Sequence, residues 1–572
     1  MNKFNNSRGL LAIEISLFIL GVIGVYLLLA NFAPGGPIST DVIGYMNVGL
    51  RGLATPPILN RYFHVFLQSI FLKGASSPLT GAQNYWAFLI AGTCGLVYLA
   101  ARLFSRRGNV MHGLLALALF FSIHEIVVNA GIPLVDDTAM FMMMLFIVLI
   151  ILSARRGHQS IVLVALLGFV LYLAFRTKET ALIAGLAVFG LGMTEEKPFD
   201  WRLFLRRMSY VGLGVLVAVV FFILLNTIFL HKPLFGFRLS DLQEFFGVYV
   251  GNILWSPNIT GYDNWFTAYL FTGLLIPFTL YIVSAMKAAR EVESYPGMRL
   301  VWLIPLAVIA FVSMTVSKQW GFAPRYVIAI LPFVAFLAPQ FLNLDLGAGQ
   351  NKTQRQRALV VFVTGVLIVV IARIAIRFIV PKIGWDIGLF LEIVFIPILL
   401  AIILALSFSW KMPSLLVSIV IAILILAIVS IPIVNNVKYA VRDHPNLHYS
   451  QELFYPFSAF PDQIHYTADM RMYVSLNIWN LMGMSAYVKD RNELSAVFNI
   501  YFNARSSIDN FTLTDGSTDI AQDLLSTNYN YALLSREDWQ VATQEEGMAS
   551  RLEQIYQVFQ EDTQRVVLLK LK

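Results

Sequence analysis

Residues 135–156 read VDDTAMFMMMLFIVLIILSARR. Two acids open the run, two arginines close it, and every residue from Ala139 to Leu152 is apolar. A soluble helix leaves a polar stripe for water, and this one has none. About 20 apolar residues cross the hydrocarbon core of a bilayer as a helix. The stretch therefore reads as a transmembrane helix with acids at one membrane face and arginines at the other.

The same reading holds along most of the chain. Apolar runs of this kind lie near 10–31, 83–104, 110–128, 135–154, 159–175, 179–194, 209–230, 264–286, 300–317, 324–341, 358–380, 387–408 and 413–436. Of the 572 residues, 58% are hydrophobic and 13% charged, and the mean hydropathy is +0.70. Ordinary soluble proteins have roughly twice that charged fraction. A soluble enzyme, a disordered tail protein and a collagen-like chain are excluded. The net charge of +7 fits lysines and arginines at cytoplasmic helix ends better than a nucleic-acid surface. The single cysteine, Cys94, allows neither an internal disulfide nor a cysteine-based zinc site.

Basic residues orient the chain. Lys3 and Arg8 precede the first run, and alternate loops carry Arg106–Arg107, Arg155–Arg156, Lys197 with Arg202, Arg206 and Arg207, Lys287 with Arg290 and Arg299, Lys352 with Arg355 and Arg357, and Lys411. Such loops stay in the cytoplasm. The N-terminus is then cytoplasmic, and thirteen spans put the C-terminus outside. The first run lacks a small-residue cleavage pattern and reads as an uncleaved anchor.

Two outer loops are long, 32–82 and 231–263. In the first, Pro56–Pro57 separates a helix around 41–53 from a second one. There Phe63, Phe66, Leu67, Ile70 and Phe71 form one apolar face too short to span, as in a helix lying in the interface plane. In the second, Trp255, Tyr262 and Trp265 suit the headgroup level. After residue 436 the long apolar runs stop. Tyr531–Ser535 reads as a strand, Met548–Phe559 as a helix and Arg565–Leu571 as a closing strand. The expectation is a polytopic α-helical membrane module over 1–436, with about thirteen transmembrane helices, and a small extracytoplasmic α/β domain over 437–572. The membrane is the plasma or inner membrane.

Charges beside spans are costly and so are the natural candidates for function. On the outer face stand Asp41, Glu125, Asp136, Asp137, Arg176, Lys178, Glu179, His231, Lys232, Lys318 and Arg325, each near a span end. They share a depth although distant in sequence, which suits one outward cavity holding both carboxylates and cations. Each also has a plainer reading. Asp41 can sit in the first turn of a helix capped by Ser39 or Thr40. Asp136 and Asp137 suit a helix start. Lys178 can pair with an acid across the cavity. In the functional reading Asp41 is a general base, since a carboxylate at a low-dielectric boundary suits proton removal from a hydroxyl. The cations would hold a lipid phosphate.

An acid soon after the first span, an acid at the start of the fourth, the Lys178-Glu179-Thr180 loop and the Arg325-Tyr326…Pro332…Pro339 stretch together resemble the GT-C class of membrane glycosyltransferases. The nearest branch is that of the polyprenyl- or dolichyl-phosphate-mannose protein mannosyltransferases and the aminoarabinose lipid A transferases. The resemblance covers about residues 10–440 and, more weakly, the tail. It implies transfer of a sugar, with inversion, from a polyprenyl-phosphate carrier to an acceptor outside the membrane. It maps the base onto Asp41 and the fourth-span acid onto Asp137, with Asp136 as the alternative. Lys178, Lys232 and Arg325 map loosely onto the phosphate site. Tyr45, Glu125, Glu179, His231 and Tyr326 complete the candidate substrate-binding set. The oligosaccharyltransferase signature Trp-Trp-Asp-Tyr-Gly is absent, which argues against N-linked transfer of a whole oligosaccharide.

The chemistry is consistent with the residues. Breaking the glycosidic bond places negative charge on the carrier phosphate, and Arg and Lys there favour the transition state. The partners expected are the lipid-linked sugar, membrane lipid and an acceptor glycan, lipid or protein, with no nucleic acid. No nucleotide-binding loop is seen and no cofactor is expected. A divalent ion could use Asp136, Asp137 and Glu125, a reading not favoured because a hard-metal site needs several convergent oxygens. The alternative function is a transporter or lipid-linked saccharide flippase, which would place charge nearer the midplane, as Arg373 within the eleventh run could.

Overall fold

The structure, a computed structural model, describes residues 18–31, 61–128, 130–238, 274–315, 328–342, 391–408, 415–443, 471–474, 510–513 and 520–572 with short breaks, and isolated positions such as Val42, Tyr45, Met46 and Gly49. Helices occupy the place of twelve of the thirteen apolar runs. The run at 358–380 lies mostly outside the described residues.

In chain order the membrane part comprises α1 (Phe18–Asn31), α2 (Tyr62–Gly74), α3 (Pro78–Leu103), α4 (Val110–Phe121), α5 (Val135–Arg155), α6 (Ile161–Phe175), α7 (Trp201–Leu230), α8 (Leu275–Glu291), α9 (Ile304–Thr315), α10 (Leu331–Leu337), α11 (Ile396–Phe408) and α12 (Leu415–Lys438). Among the described residues, four helices are long and apolar enough to cross a bilayer by themselves: Thr80–Leu103, Val135–Arg155, Trp201–Phe229 and Leu415–Arg442.

The opening stretch forms the centre of the bundle. Nearly every residue of α5 is buried, from Asp136 to Ala154, and α3, α6 and the segment 179–192 pack around it. Opposite in character is α7, which leaves Leu205, Leu213, Leu216, Val217, Val220, Leu224 and Ile228 exposed. These suit lipid contact. Helices α6 and α7 touch backbone to backbone. A Cβ on Gly168 would collide with the Val211 carbonyl oxygen, and one on Gly214 with that of Ala165. Such small-residue seams are the usual way for helices to associate in lipid.

Three boundaries differ from the sequence reading, each for a physical reason. The short run at 179–194 is a 3-10 helix, Glu179–Gly192. At roughly 2.0 Å per residue its 14 residues reach roughly 28 Å, where an α-helix would reach roughly 21 Å. The run expected at 209–230 begins at Trp201, because Asp200 accepts the Leu203 N–H at 3.1 Å and caps an arginine-bearing first turn. The third run stops at Phe121 and resumes only as a single turn, Glu125–Val128.

In the tail, β1 (Arg471–Val474), β2 (Asn510–Leu513), β3 (Tyr531–Ser535), β4 (Tyr556–Glu561) and β5 (Val566–Leu571) form one sheet in the order β2-β1-β3-β5-β4. The pairs β1–β2 and β1–β3 are parallel, while β3–β5 and β4–β5 are antiparallel. Helices α13 (Ile520–Ser526), α14 (Arg536–Thr543) and α15 (Met548–Ile555) accompany it. Tyr473, Ala532, Leu534, Leu552, Tyr556, Val567 and Leu569 form a core of their own. The helix expected over 548–559 ends at Ile555. The alternation Tyr556-Gln-Val558 that follows enters the sheet.

Candidate active site

The acids at the start of α5 and the residues joining α6 to the 3-10 helix meet at one end of the bundle. Leu134 ends an extended entry and the helix starts at Val135, so Asp136 and Asp137 fall in its first turn. The Asp137 carboxylate accepts the Leu134 N–H at 3.0 Å, a capping contact that fixes one of its oxygens. Asp136 receives a hydrogen bond and an ion pair from the ammonium of Lys178, and both residues are more than nine-tenths buried. Glu125 is buried too and lies within electrostatic reach of Asp137.

The next residue, Glu179, takes both arms of Arg61, at 2.7 and 3.3 Å. This bidentate pair is nearly out of water, with side-chain exposures of 11% and 13%. Consecutive residues of one loop thus carry opposite charges to two different elements, α5 and the entrance of α2. Arg176 stacks on Phe222 and Phe237, its guanidinium carbon 4.5 and 5.5 Å from the ring centres, and donates to the Gly236 carbonyl at 3.4 Å. It thereby folds the segment after α7 back over this end of the bundle.

Helix α2 is built with its polar side inward. Tyr62, Phe63, His64, Val65, Gln68, Ser69 and Leu72 are buried. Of the apolar face expected to mark the interface, Ile70 is 53% exposed and Phe66, Leu67 and Phe71 are half-buried, while Phe63 alone is buried. His64 Nδ1 lies 2.7 Å from Thr138 Oγ1, and Tyr85 OH lies 2.8 Å from the same hydroxyl. Burial, helped by the charge of Arg61, pushes the His64 imidazole down to about 3, so it is neutral. His64 Nε2 and both amide atoms of Gln68 have no hydrogen-bond partner among the described residues.

The remaining candidates divide as follows. Asp41, Arg325 and Tyr326 lie outside the described residues. Directly after Asp41, Val42, Tyr45, Met46 and Gly49 are helical and buried at the spacing of one helix face. Tyr45 packs against Val65 and Val135 and stands edge-on to His64, with ring centres 5.5 Å apart. His231 and Lys232 are exposed at the C-terminus of α7 and form no ion pair among the described residues. They stand outside the buried cluster. Among the described residues no three His, Cys, Asp or Glu side chains converge as metal ligands.

The sequence matches no protein-family model and no curated protein. Solved structures do match. ArnT from Cupriavidus metallidurans bound to undecaprenyl phosphate is similar over 97% of this chain and 97% of its own, with 15% identity and a TM-score of 0.52. The apo form of the same protein matches over the same shares at 13% identity and a TM-score of 0.52. The fold is the GT-C fold. An oligosaccharyltransferase with this GT-C fold, AglB from Archaeoglobus fulgidus in complex with an inhibitory peptide and a dolichol-phosphate, is similar at 11% identity over 95% of this chain and 72% of its own, with a TM-score of 0.40.

Arg61, His64, Gln68, Tyr85 and Thr138 escaped the sequence reading. One signal was present: His64 and Gln68 are four residues apart, on the face of α2 that the apolar stripe does not occupy.

Proposed function

We propose that this protein transfers a sugar from a polyprenyl-phosphate carrier to an acceptor at the membrane face away from the cytoplasm. The observation that carries the reading is the pair of buried ion pairs, Asp136–Lys178 and Glu179–Arg61, under the inward polar face of α2, in a chain with the fold of ArnT over nearly its whole length. Buried ion pairs contribute little net stability and are costly to desolvate. Cations kept ready beneath an interfacial helix suit the phosphate of a lipid whose tail stays in the bilayer.

In the proposed reaction the acceptor oxygen bonds to the anomeric carbon as the bond from that carbon to the carrier phosphate breaks. The electron pair leaves with the phosphate, and the acceptor proton goes to a base on the opposite face. Lys178 and Arg61 oppose the charge that grows on the phosphate, exchanging part of their carboxylate contact for it. Asp41 is the proposed base, as the family resemblance implies. Asp137, half engaged in capping, holds the start of α5. The C-terminal α/β domain is proposed to sit on the same side.

The test is sugar transfer from a polyprenyl-phosphate sugar by purified Asp41→Asn. Turnover is expected to fall by about 10²–10⁴, the range of a lost general base, with insertion and undecaprenyl phosphate binding unchanged. Wild-type turnover in that variant would remove Asp41 as the base.

A further inference from the structure

At the far end of α5 lies a cavity of about 290 Å³ that the proposed reaction does not use. It sits between the C-terminus of α5, the start of α7 and the loop after the 3-10 helix, and its polar lining is Arg155, His158, Thr194, Glu195, Arg207 and Tyr295. Since α5 has 21 residues, this is about 30 Å from Asp136.

Arg207 is 8% exposed. Its guanidinium donates to the carbonyls of Leu191 and Gly157, each at 2.6 Å, and among the described residues no carboxylate pairs with it. Carbonyl dipoles satisfy donors but leave the charge uncompensated, and a buried unpaired charge calls for an anion. His158 is 7% exposed. Its Nδ1 lies 2.9 Å from Ser153 Oγ, and its Nε2 has no hydrogen-bond partner among the described residues. When the Ser153 hydroxyl donates to Nδ1, Nε2 carries the hydrogen and is a donor to spare. The acid in the lining, Glu195, is exposed, unlike Arg207 and His158. Arg155, also exposed, lies over the Tyr295 ring at 5.6 Å.

The surroundings indicate the kind of anion. Ile161 and Val162 at the start of α6, and Trp201 and Leu205 at the start of α7, are between 51% and 69% exposed. A tryptophan beside exposed aliphatic side chains suits the headgroup boundary. The volume is at the small end for ligand sites, ample for a headgroup but not for a lipid-linked oligosaccharide.

We infer that this cavity binds the phosphate of an anionic lipid headgroup, held by Arg207 and the His158 Nε2–H, with the acyl chains along the exposed starts of α6 and α7. In the proposed orientation the lipid belongs to the cytoplasmic leaflet. A soluble phosphate ester would offer the same chemistry, and the experiment separates the two.

Purified protein is placed in mixed phosphatidylcholine–phosphatidylglycerol nanodiscs and extracted, and the lipids it retains are counted by mass spectrometry. Thermal unfolding with and without inorganic phosphate is the second arm. Wild type is expected to retain phosphatidylglycerol preferentially, with the preference falling about tenfold in Arg207→Gln and in His158→Asn, as loss of a charge-assisted or well-placed hydrogen bond requires. His158→Asn leaves Arg207 on its carbonyls and tolerates the left-handed backbone at this position, φ 56°, so it carries the test if Arg207→Gln does not fold. Should inorganic phosphate protect wild type and neither variant, with no lipid preference, the site stands and its ligand is soluble. Lipid retention and phosphate response both equal in wild type and His158→Asn would overturn the inference.

Discussion

The two ends of α5 solve the same problem in different ways. At the Asp136 end, two buried cations have a carboxylate, Lys178 on Asp136 and Arg61 on Glu179, while Arg176 stacks on Phe222 and Phe237. At the Arg155 end, buried Arg207 rests on two carbonyls, and His158 keeps a nitrogen without a partner among the described residues. Those two ion pairs are balanced before any ligand arrives, so a phosphate bound there, as proposed, would compete with the carboxylates. The second, on the inference drawn above, would be completed by an anion. The difference separates a site suited to releasing its ligand each cycle from one suited to keeping it.

Breaking the balance at the first end should have the largest effect. Lys178→Ala leaves Asp136 buried without its cation and is expected to cost about 3–5 kcal/mol of stability, read by thermal unfolding in detergent. Asp136→Ala with Lys178→Ala should recover much of that loss, since an empty apolar site is cheaper than a lone charge. Neither variant should bind undecaprenyl phosphate as wild type does. A double variant with normal carrier binding would take Lys178 out of the phosphate site.

The next effect is on pH. Both ends hold a histidine pushed down by burial and a neighbouring arginine, His64 to about 3 and His158 to about 4. In an unfolded chain each would titrate near 6.5. Below that pH the unfolded chain takes up a proton that the folded one refuses, so the stabilising contribution is complete above about 6.5 and is lost as pH falls toward 4 and then 3. Each histidine then contributes a slope of at most about 1.4 kcal/mol per pH unit in its window. His64→Gln and His158→Asn should each flatten part of the acid limb of stability against pH. An unchanged limb in both would mean that acid destabilisation comes from the carboxylates alone.

How much of this could be read from the chain depended on how local the cause was. The core helix α5 is legible because its signal is continuous, and Tyr531–Ser535 is a strand within its stated bounds because an alternating sheet pattern needs only five residues. Asp136 and Lys178 were legible as candidates because charges beside apolar runs stand out, and their pairing matches the plainer reading given to Lys178. Arg61 was not. It sits alone after Pro56–Pro57, its partner is 118 residues away, and nothing in sequence spacing links them. The length of the 3-10 helix was hidden for a related reason, since composition does not fix the rise per residue.

The smallest expected effect tests why the faces of α2 are reversed relative to a helix of a soluble protein. An apolar stripe ordinarily points to the core, yet here Ile70 points out while His64 and Gln68 are fully buried. In lipid that inversion carries no penalty, because the solvent is the apolar phase. Ile70→Ser in detergent micelles should therefore shift unfolding by no more than about 0.5 kcal/mol, as at ordinary surface positions. The same substitution in a bilayer should weaken attachment of α2 by the transfer free energy of a half-exposed isoleucine, about 1 kcal/mol. The measurement is hydrogen exchange of α2 amides in micelles against nanodiscs. Faster exchange in nanodiscs alone places the stripe against lipid. A large loss in micelles would mean that Ile70 packs on protein, and the inward polar face of α2 would then have to be sought around a different axis.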